Sequence, residues 1–253
     1  MNATEIRARA SRLGIDTASI EKDFILNHVL AAISQGEPAL LHFRGGTALA
    51  RVYWPDFRLS EDLDFVTSAR IGEIQGLLSE AIELAEARTG IPLDLRFGSP
   101  AGGYWQSLVV WSDQELTIDI NAGESARMPV EMRSLDLPYQ DFRDNRYEIP
   151  TIALEEILGN KWYMLDDRDE PRDLYDLWAA LCRFQVPFED VAAGWSAKYQ
   201  GVPKKWLLVR AKRLESAWEE RLAHQLDELP AFGQAWACIE EVFDTWEQGR
   251  RQL

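Results

Sequence analysis

FRGGTALARVYWPDFRLSEDLDF, residues 43–65, places a Gly-Gly turn and an Asp-x-Asp pair in one short span, and its reading decides the fold. ALLHF (39–43) reads as a short apolar strand, closed by Gly45-Gly46 and followed by a helix from about Thr47. DLDFV (62–66) alternates charge with apolar bulk, the pattern of a half-buried strand. Successive strand side chains point to opposite faces, so Asp62 and Asp64 share one face while Leu63 and Phe65 anchor the other in the core. Two carboxylates held on one face repel each other, and a bound cation relieves that repulsion. Mg²⁺, with Mn²⁺ as the alternative, suits such a pair because it accepts a few carboxylates and completes its shell with water and phosphate oxygens.

Outward from this core, LTIDIN (116–121) sets Asp119 between Ile118 and Ile120. If that strand lies beside 62–66, three acids converge in the arrangement used for two-metal phosphoryl transfer. Taken singly, the motifs are weak: Asp-x-Asp also fits an exposed edge strand, and two glycines fit any tight turn. Their combination is more specific. Gly45, Gly46 and Thr47 lie between a strand and a helix, where backbone N–H groups can hold a phosphate.

Apolar spacing predicts helices over 18–34 and 70–89, and strands at about 92–97, 104–112 and 115–121. The texture changes near Pro150, beyond which nearly everything reads as helix: 153–165, a helix with Pro171 in its first turn, then 188–200, 203–225 and 230–250. The expectation is an α/β (α+β) N-terminal domain with a mixed sheet, residues 1–150, followed by a helical C-terminal domain, residues 151–253.

Of 253 residues, 46% are hydrophobic and 11% aromatic, ample for a core. The 42 acidic and 27 basic residues give a net charge of −15, which argues against a general nucleic-acid coat protein. It leaves room for an enzyme gripping one end of an RNA through a local basic patch, or for docking onto a basic partner. Lys204, Lys205, Arg210, Lys212 and Arg213 form the conspicuous basic cluster, read either as an RNA-facing patch or as a solvated helix face. No run approaches the roughly 18 apolar residues needed to cross a bilayer, and MNATEIRARASRLG is charged where a signal peptide is apolar. Cys182 and Cys238 match no metal-ligand spacing and read as unpaired thiols in a reducing cytoplasm. His28, His42 and His224 have no catalytic partner at a recognisable spacing and read as structural.

The 43–65 stretch resembles the signature of the nucleotidyltransferase AbiEii toxin family, the toxin half of type IV toxin–antitoxin and phage-defence systems. Members typically read Phe-Lys-Gly-Gly-Thr-x-Leu, then Arg-x-Ser-x-Asp-Leu-Asp-Phe; here Arg44 replaces the lysine and keeps its charge. EKDFILNHVL (21–30) resembles the family's lead-in helix. EEILGNKWYMLDDRDEPRDLYDLW (155–178) resembles its Lys…Arg…Arg-Asp-x-x-Asp block, here Lys161, Arg168, Arg172, Asp173 and Asp176.

The resemblance implies transfer of a nucleotide from an NTP to an RNA acceptor, with the 3′ end of tRNA as the leading candidate, release of pyrophosphate, and a cognate antitoxin as protein partner. It implies metal binding by Asp62, Asp64 and Asp119, and essential roles for Lys161 and Asp176. Nucleotide contacts fall to Arg44, Gly45, Gly46, Thr47, Arg58, Ser60, Lys161, Arg168, Arg172 and Asp173, so that the helical domain completes the nucleotide site. Lys161 and Arg168 share a helix face if the helix persists that far, and Asp173 and Asp176 share a face of the next helix. A solvent-exposed salt-bridge cluster joining two helices explains the same spacing. Asp176 is either a general base on the incoming hydroxyl or the residue that orients Lys161. Two further alternatives stand beside the RNA acceptor: a protein or small-molecule acceptor, and a non-catalytic module that binds nucleotide or antitoxin.

Overall fold

Asp16 starts the first long helix by accepting a hydrogen bond from the Ser19 amide at 2.9 Å, which satisfies a donor the helix cannot. In the computed structural model, which describes residues 3–55, 57–226 and 228–252, that helix is α2 (Thr17–Gln35), preceded by α1 (Ala3–Leu13). Residues 23–33 of α2 are buried all round, so it is a core helix rather than an amphipathic surface one. The chain divides after Ile152 into two compact units.

In the first unit the strand expected at 39–43 is displaced. Pro38–Leu40 forms a 3₁₀ turn, and β1 is His42–Arg44. Proline favours the first position of a helical turn, which defers the extended segment. Helix α3 (Gly45–Ala48) follows at once, two residues earlier than expected, and runs into a π-helical turn, Leu49–Tyr53. Next come β2 (Asp62–Val66), α4 (Ile71–Thr89), β3 (Asp94–Phe97), β4 (Tyr104–Trp111) and β5 (Gln114–Asn121), all close to the positions read from periodicity. Strands β6 (Glu131–Ser134) and β7 (Glu148–Thr151) have no counterpart in that reading. All four β6 residues are exposed, so it lacks an alternating pattern, and β7 contains Pro150, which reads as a breaker.

The sheet is mixed, in the order β3-β4-β5-β2-β1-β7-β6, with β2/β5 and β1/β7 parallel. Phe43, Leu63, Phe65, Ile118 and Ile120 lie at most 1% exposed on one face. Burying each such side chain contributes about 1.5–3 kcal/mol. A polar network ties the turn after β1 to α2. Arg51 Nε donates to Asn27 Oδ1 at 2.8 Å, Arg51 pairs with Asp23, and Tyr139 donates to Asp23 at 2.7 Å, all of them buried.

The second unit is helical: α5 (Leu154–Asp167), α6 (Pro171–Trp178), α7 (Phe188–Tyr199), α8 (Lys205–Arg210), α9 (Trp218–Leu222) and α10 (Phe232–Arg251). The segment expected as one helix over 203–225 is interrupted by 3₁₀ turns at Ala211–Ala217 and Ala223–Gln225. Its core stacks Trp162 on Phe243, ring centroids 5.4 Å apart, with Phe188 edge-on to both. Cys182 and Cys238 form a disulfide, which overturns the expectation of two unpaired thiols. Their separation of 56 residues hides the pairing in the sequence, and the packing of α10 on the turn after α6 brings the Cα atoms to 6.4 Å.

Helices α5 and α7 cross at two glycines. A Cβ on Gly194 would collide with the Glu155–Glu156 backbone, coming within 2.8 Å of the Glu156 nitrogen, and one on Gly159 would sit 3.1 Å from Gly194 Cα. We expect Gly194→Ala to destabilise by about 1–3 kcal/mol through overpacking, lowering the melting temperature by roughly 2–4 °C per kcal/mol. A methyl group added at exposed Gly76 of α4 would meet no atom within 4 Å, so Gly76→Ala should raise it slightly. Thermal melts of both variants test the crossing; equal behaviour would refute it.

Candidate active site

The chain leaves β1 through Gly45, whose φ of +78° lies in the left-handed region. A Cβ there would also strike the Asp64 side chain, within 2.7 Å of its Cγ. Glycine is therefore required twice, for conformation and for space, because Asp64 rests against the turn backbone.

Register assembles the rest. Arg44 pairs with Asp64 across β1/β2, Asp64 with Asp119 across β2/β5, and Gln106 with Asp119 across β4/β5. One row therefore crosses the sheet as Arg44, Asp64, Asp119 and Gln106. Asp62 lies two residues from Asp64 on the same face. All three acids are half-buried.

Asp119 Oδ1 accepts hydrogen bonds from the Tyr104 hydroxyl and from Gln106 Nε2, the latter at 3.1 Å. Partial burial pushes the Tyr104 phenol upward, reinforced by its bond to Asp119 and by the charges of Asp119 and Asp64. Arg44 Nη1 donates to Glu124 Oε2 at 2.9 Å, and Asn121 Nδ2 donates to the same oxygen at 3.1 Å. Tyr104, Gln106, Asn121 and Glu124 escape a reading of the sequence. The alternation of Tyr104 and Gln106 on a strand is a signal, but only its pairing with β5 gives it meaning.

Thr47 is fully buried, and its hydroxyl is shared between the Ser60 hydroxyl and the Asp62 carbonyl oxygen. Thr47 and Ser60 thus pin the start of β2 from inside. Arg58 is also buried; its Nη1 donates to the Leu59 carbonyl at 3.0 Å and its guanidinium lies over Phe57. Gly46 is half-buried within α3, whose four residues make a short helix.

The oxygen-only donor set of Asp62, Asp64 and Asp119, gathered on one face, fits a hard divalent cation. As placed, no three metal-ligating side chains among the described residues form a ligand group. The donors on β4 hold Asp119 through its Oδ1.

In the helical unit Lys161 is buried between two carboxylates, its Nζ 3.0 Å from Asp173 Oδ1 and 2.6 Å from Asp176 Oδ2. Helix α5 ends at Asp167, so Arg168 does not continue the Lys161 face. Its backbone is extended, and its guanidinium folds back onto Asp173 through bonds of 2.8 and 3.0 Å. Arg172 pairs with Glu170, which accepts from the Arg172 amide at the start of α6. The cluster joins α5 to α6 around a buried centre of Lys161, Asp173 and Asp176, with Arg168 covering it from the exposed side.

Three of the cations singled out at 204–213 are ion-paired: Lys205 with Asp244, Arg210 with Asp166, and Arg213 with Asp169. Lys212 lies over Trp236. His28 is bonded to Asp141 at 3.1 Å, and burial outweighs that carboxylate to push the imidazole down to about 4. Both observations favour structural roles.

Burial alone would raise Asp173, but Lys161 and Arg168 outweigh it and hold the carboxyl at about 2, below the 3.8 of a free aspartate. A depressed folded pKa means the stability is present above pH 3.8 and is lost as pH falls through 2. We expect Asp173→Asn to lower the melting temperature at pH 7, with its difference from wild type shrinking between pH 4 and pH 2. Lys161→Ala removes the ammonium shared by two buried carboxylates, with Arg168 still bonded to Asp173, and should cost about 3–5 kcal/mol. Melting curves recorded against pH check both; a Lys161→Ala protein as stable as wild type would refute the pairing.

Comparison with known proteins bears on the fold and the family. No curated protein matches the chain. The fold is similar to MenT4, the nucleotidyltransferase toxin Rv2826c of Mycobacterium tuberculosis H37Rv, at TM-score 0.53 and 20% identity, over 96% of this chain and 97% of that one. It is also similar to a candidate nucleotidyltransferase from H. pylori, at TM-score 0.50 and 17% identity, over 92% and 98%. The family model described as "Nucleotidyl transferase AbiEii toxin, Type IV TA system" matches residues 28–246. The chain therefore belongs to the AbiEii nucleotidyltransferase toxin family of type IV toxin–antitoxin systems.

Proposed function

We propose that the protein is a metal-dependent toxin that transfers a nucleotide from an NTP to an RNA acceptor, the 3′ end of a tRNA, releasing pyrophosphate. The observation that carries this reading is the register of Asp64 with Asp119 on parallel neighbouring strands, with Asp62 on the same face. Mg²⁺ or Mn²⁺ held by these three acids would neutralise the triphosphate and the charge that develops during transfer.

The chain's own groups do the positioning. Gly45 admits the Asp64 side chain against the turn, and Thr47 with Ser60 fixes the start of β2. Arg44, beside Asp64 in the row and paired with Glu124, would offer its guanidinium to phosphate oxygens. Asp119 accepts the proton of the attacking hydroxyl, and Gln106 keeps its carboxylate oriented.

Essential roles for Lys161 and Asp176 rest on the family resemblance. The 2.6 Å contact and complete burial of Asp176 favour its orienting Lys161 over its acting as a base. Arg168 and Arg172 are assigned to nucleotide phosphates on the same resemblance. A basic antitoxin suits the net charge of −15.

The test incubates purified protein with each α-labelled NTP, Mg²⁺ or Mn²⁺ and total tRNA. Label should enter tRNA with pyrophosphate release. Asp64→Asn and Asp119→Asn should each lower the rate on the order of 10²–10³-fold, equivalent to several kcal/mol of transition-state stabilisation. Absence of label in RNA, together with undiminished toxicity of Asp64→Ala in cells, would sink the reading. Label in a low-mass product would move the acceptor to a small molecule.

A further inference from the structure

Nucleotidyl transfer needs an acceptor hydroxyl beside the carboxylate that takes its proton. A hydroxyl of the protein already occupies that position. Tyr104 opens β4 directly after Gly102 and Gly103, both at positive φ, and its side chain is 45% exposed. Its phenolic O–H donates to Asp119 Oδ1, and Asp119 is the cross-strand register partner of Asp64. The other hydroxyls around the turn are committed elsewhere: Thr47 and Ser60 are buried against each other, and Tyr53 donates to the Ile152 carbonyl. Thr117, the register partner of Asp62, also carries a hydroxyl on this face and is separated by experiment.

We propose that Tyr104 is a self-nucleotidylation site, modified by the protein's own activity when no RNA acceptor is bound. The inference rests on the nucleotidyl transfer proposed above. The phenolic oxygen attacks the α-phosphorus of a bound NTP, and a new oxygen–phosphorus bond forms. The bond from the α-phosphorus to the oxygen bridging to the β-phosphorus breaks, and that oxygen leaves with pyrophosphate. The phenolic proton passes to Asp119. The product is a tyrosyl phosphodiester carrying one nucleoside monophosphate, and no oxidant or reductant is needed. The modification removes the Tyr104 donor from Asp119 and places a nucleotide over the carboxylate row, which closes the site to RNA.

The experiment incubates the full chain with α-labelled NTP and Mg²⁺ or Mn²⁺, with and without tRNA. Expected results are a mass gain of one nucleoside monophosphate approaching one per chain, equimolar pyrophosphate, and no label from γ-labelled NTP. Peptide mapping should place the adduct on Tyr104, and added tRNA should suppress it. Tyr104→Phe, checked for an unchanged melting temperature, should lose the protein label. It should still label tRNA at a rate reduced by no more than about 100-fold, the range for removing a group that orients a metal ligand. Wild-type protein that labels tRNA but not itself overturns the inference while leaving the nucleotidyltransferase reading intact. So does an adduct mapped to Thr117, or one that persists in Tyr104→Phe. Label in neither tRNA nor protein overturns both.

Discussion

The close approach of the Asp64 side chain to Gly45 is the contact on which the arrangement of the first unit depends. A strand must end, turn through a left-handed conformation and start a helix while a carboxylate from the next strand lies on the turn. Only a residue without a Cβ satisfies both demands. Once Asp64 is fixed there, antiparallel pairing sets Arg44 beside it and parallel pairing sets Asp119 on its other side. A one-residue slip in either register would send Asp64 or Asp119 to the core face, where Ile118 and Phe65 are fully or almost fully buried. The hydrophobic face therefore enforces the position of the acids on the opposite one.

The turn is held from behind as well. Arg51, on the π-helical turn after α3, reaches α2 through Asp23 and Asn27, and Tyr139 closes the network. A buried charge without partners is costly, so a network with these partners specifies one arrangement more sharply than apolar contacts would. This gives the lead-in helix a physical reason to accompany the Gly-Gly turn: it carries the counter-charge for the segment that follows the turn.

The acidic groups of the sheet and of the helical unit differ in kind. In the helical unit Asp173 and Asp176 are buried and compensated by Lys161, with Arg168 also bonded to Asp173. Such a cluster contributes to stability in a pH-dependent way, and any activity lost on altering Lys161 has to be separated from loss of fold. In the sheet unit the acids are half-exposed neighbours on one face, and Asp119 is turned toward hydroxyl and amide donors of β4. Crowded carboxylates open to solvent suit a cation and a phosphate chain; enclosed, neutralised ones suit a helix joint.

Much of this was legible in the residues because it depends on local physics. Alternation located β2 and β5 and put Asp62, Asp64 and Asp119 on their strands; periodicity located α2, α4, α5 and the start of α6; and the change of texture at Pro150 lies close to the division after Ile152. Strands β6 and β7 were hidden because neither alternates, and the Cys182–Cys238 bridge because 56 residues separate its ends. The tertiary structure alone decided partnership. It drew Thr47 and Ser60 inside to hold a strand, enclosed Lys161 between two acids, and set Tyr104 and Gln106 on Asp119. Those outcomes follow from cross-strand register and helix packing, which join residues far apart in the chain, whereas local spacing determines only which face a side chain occupies.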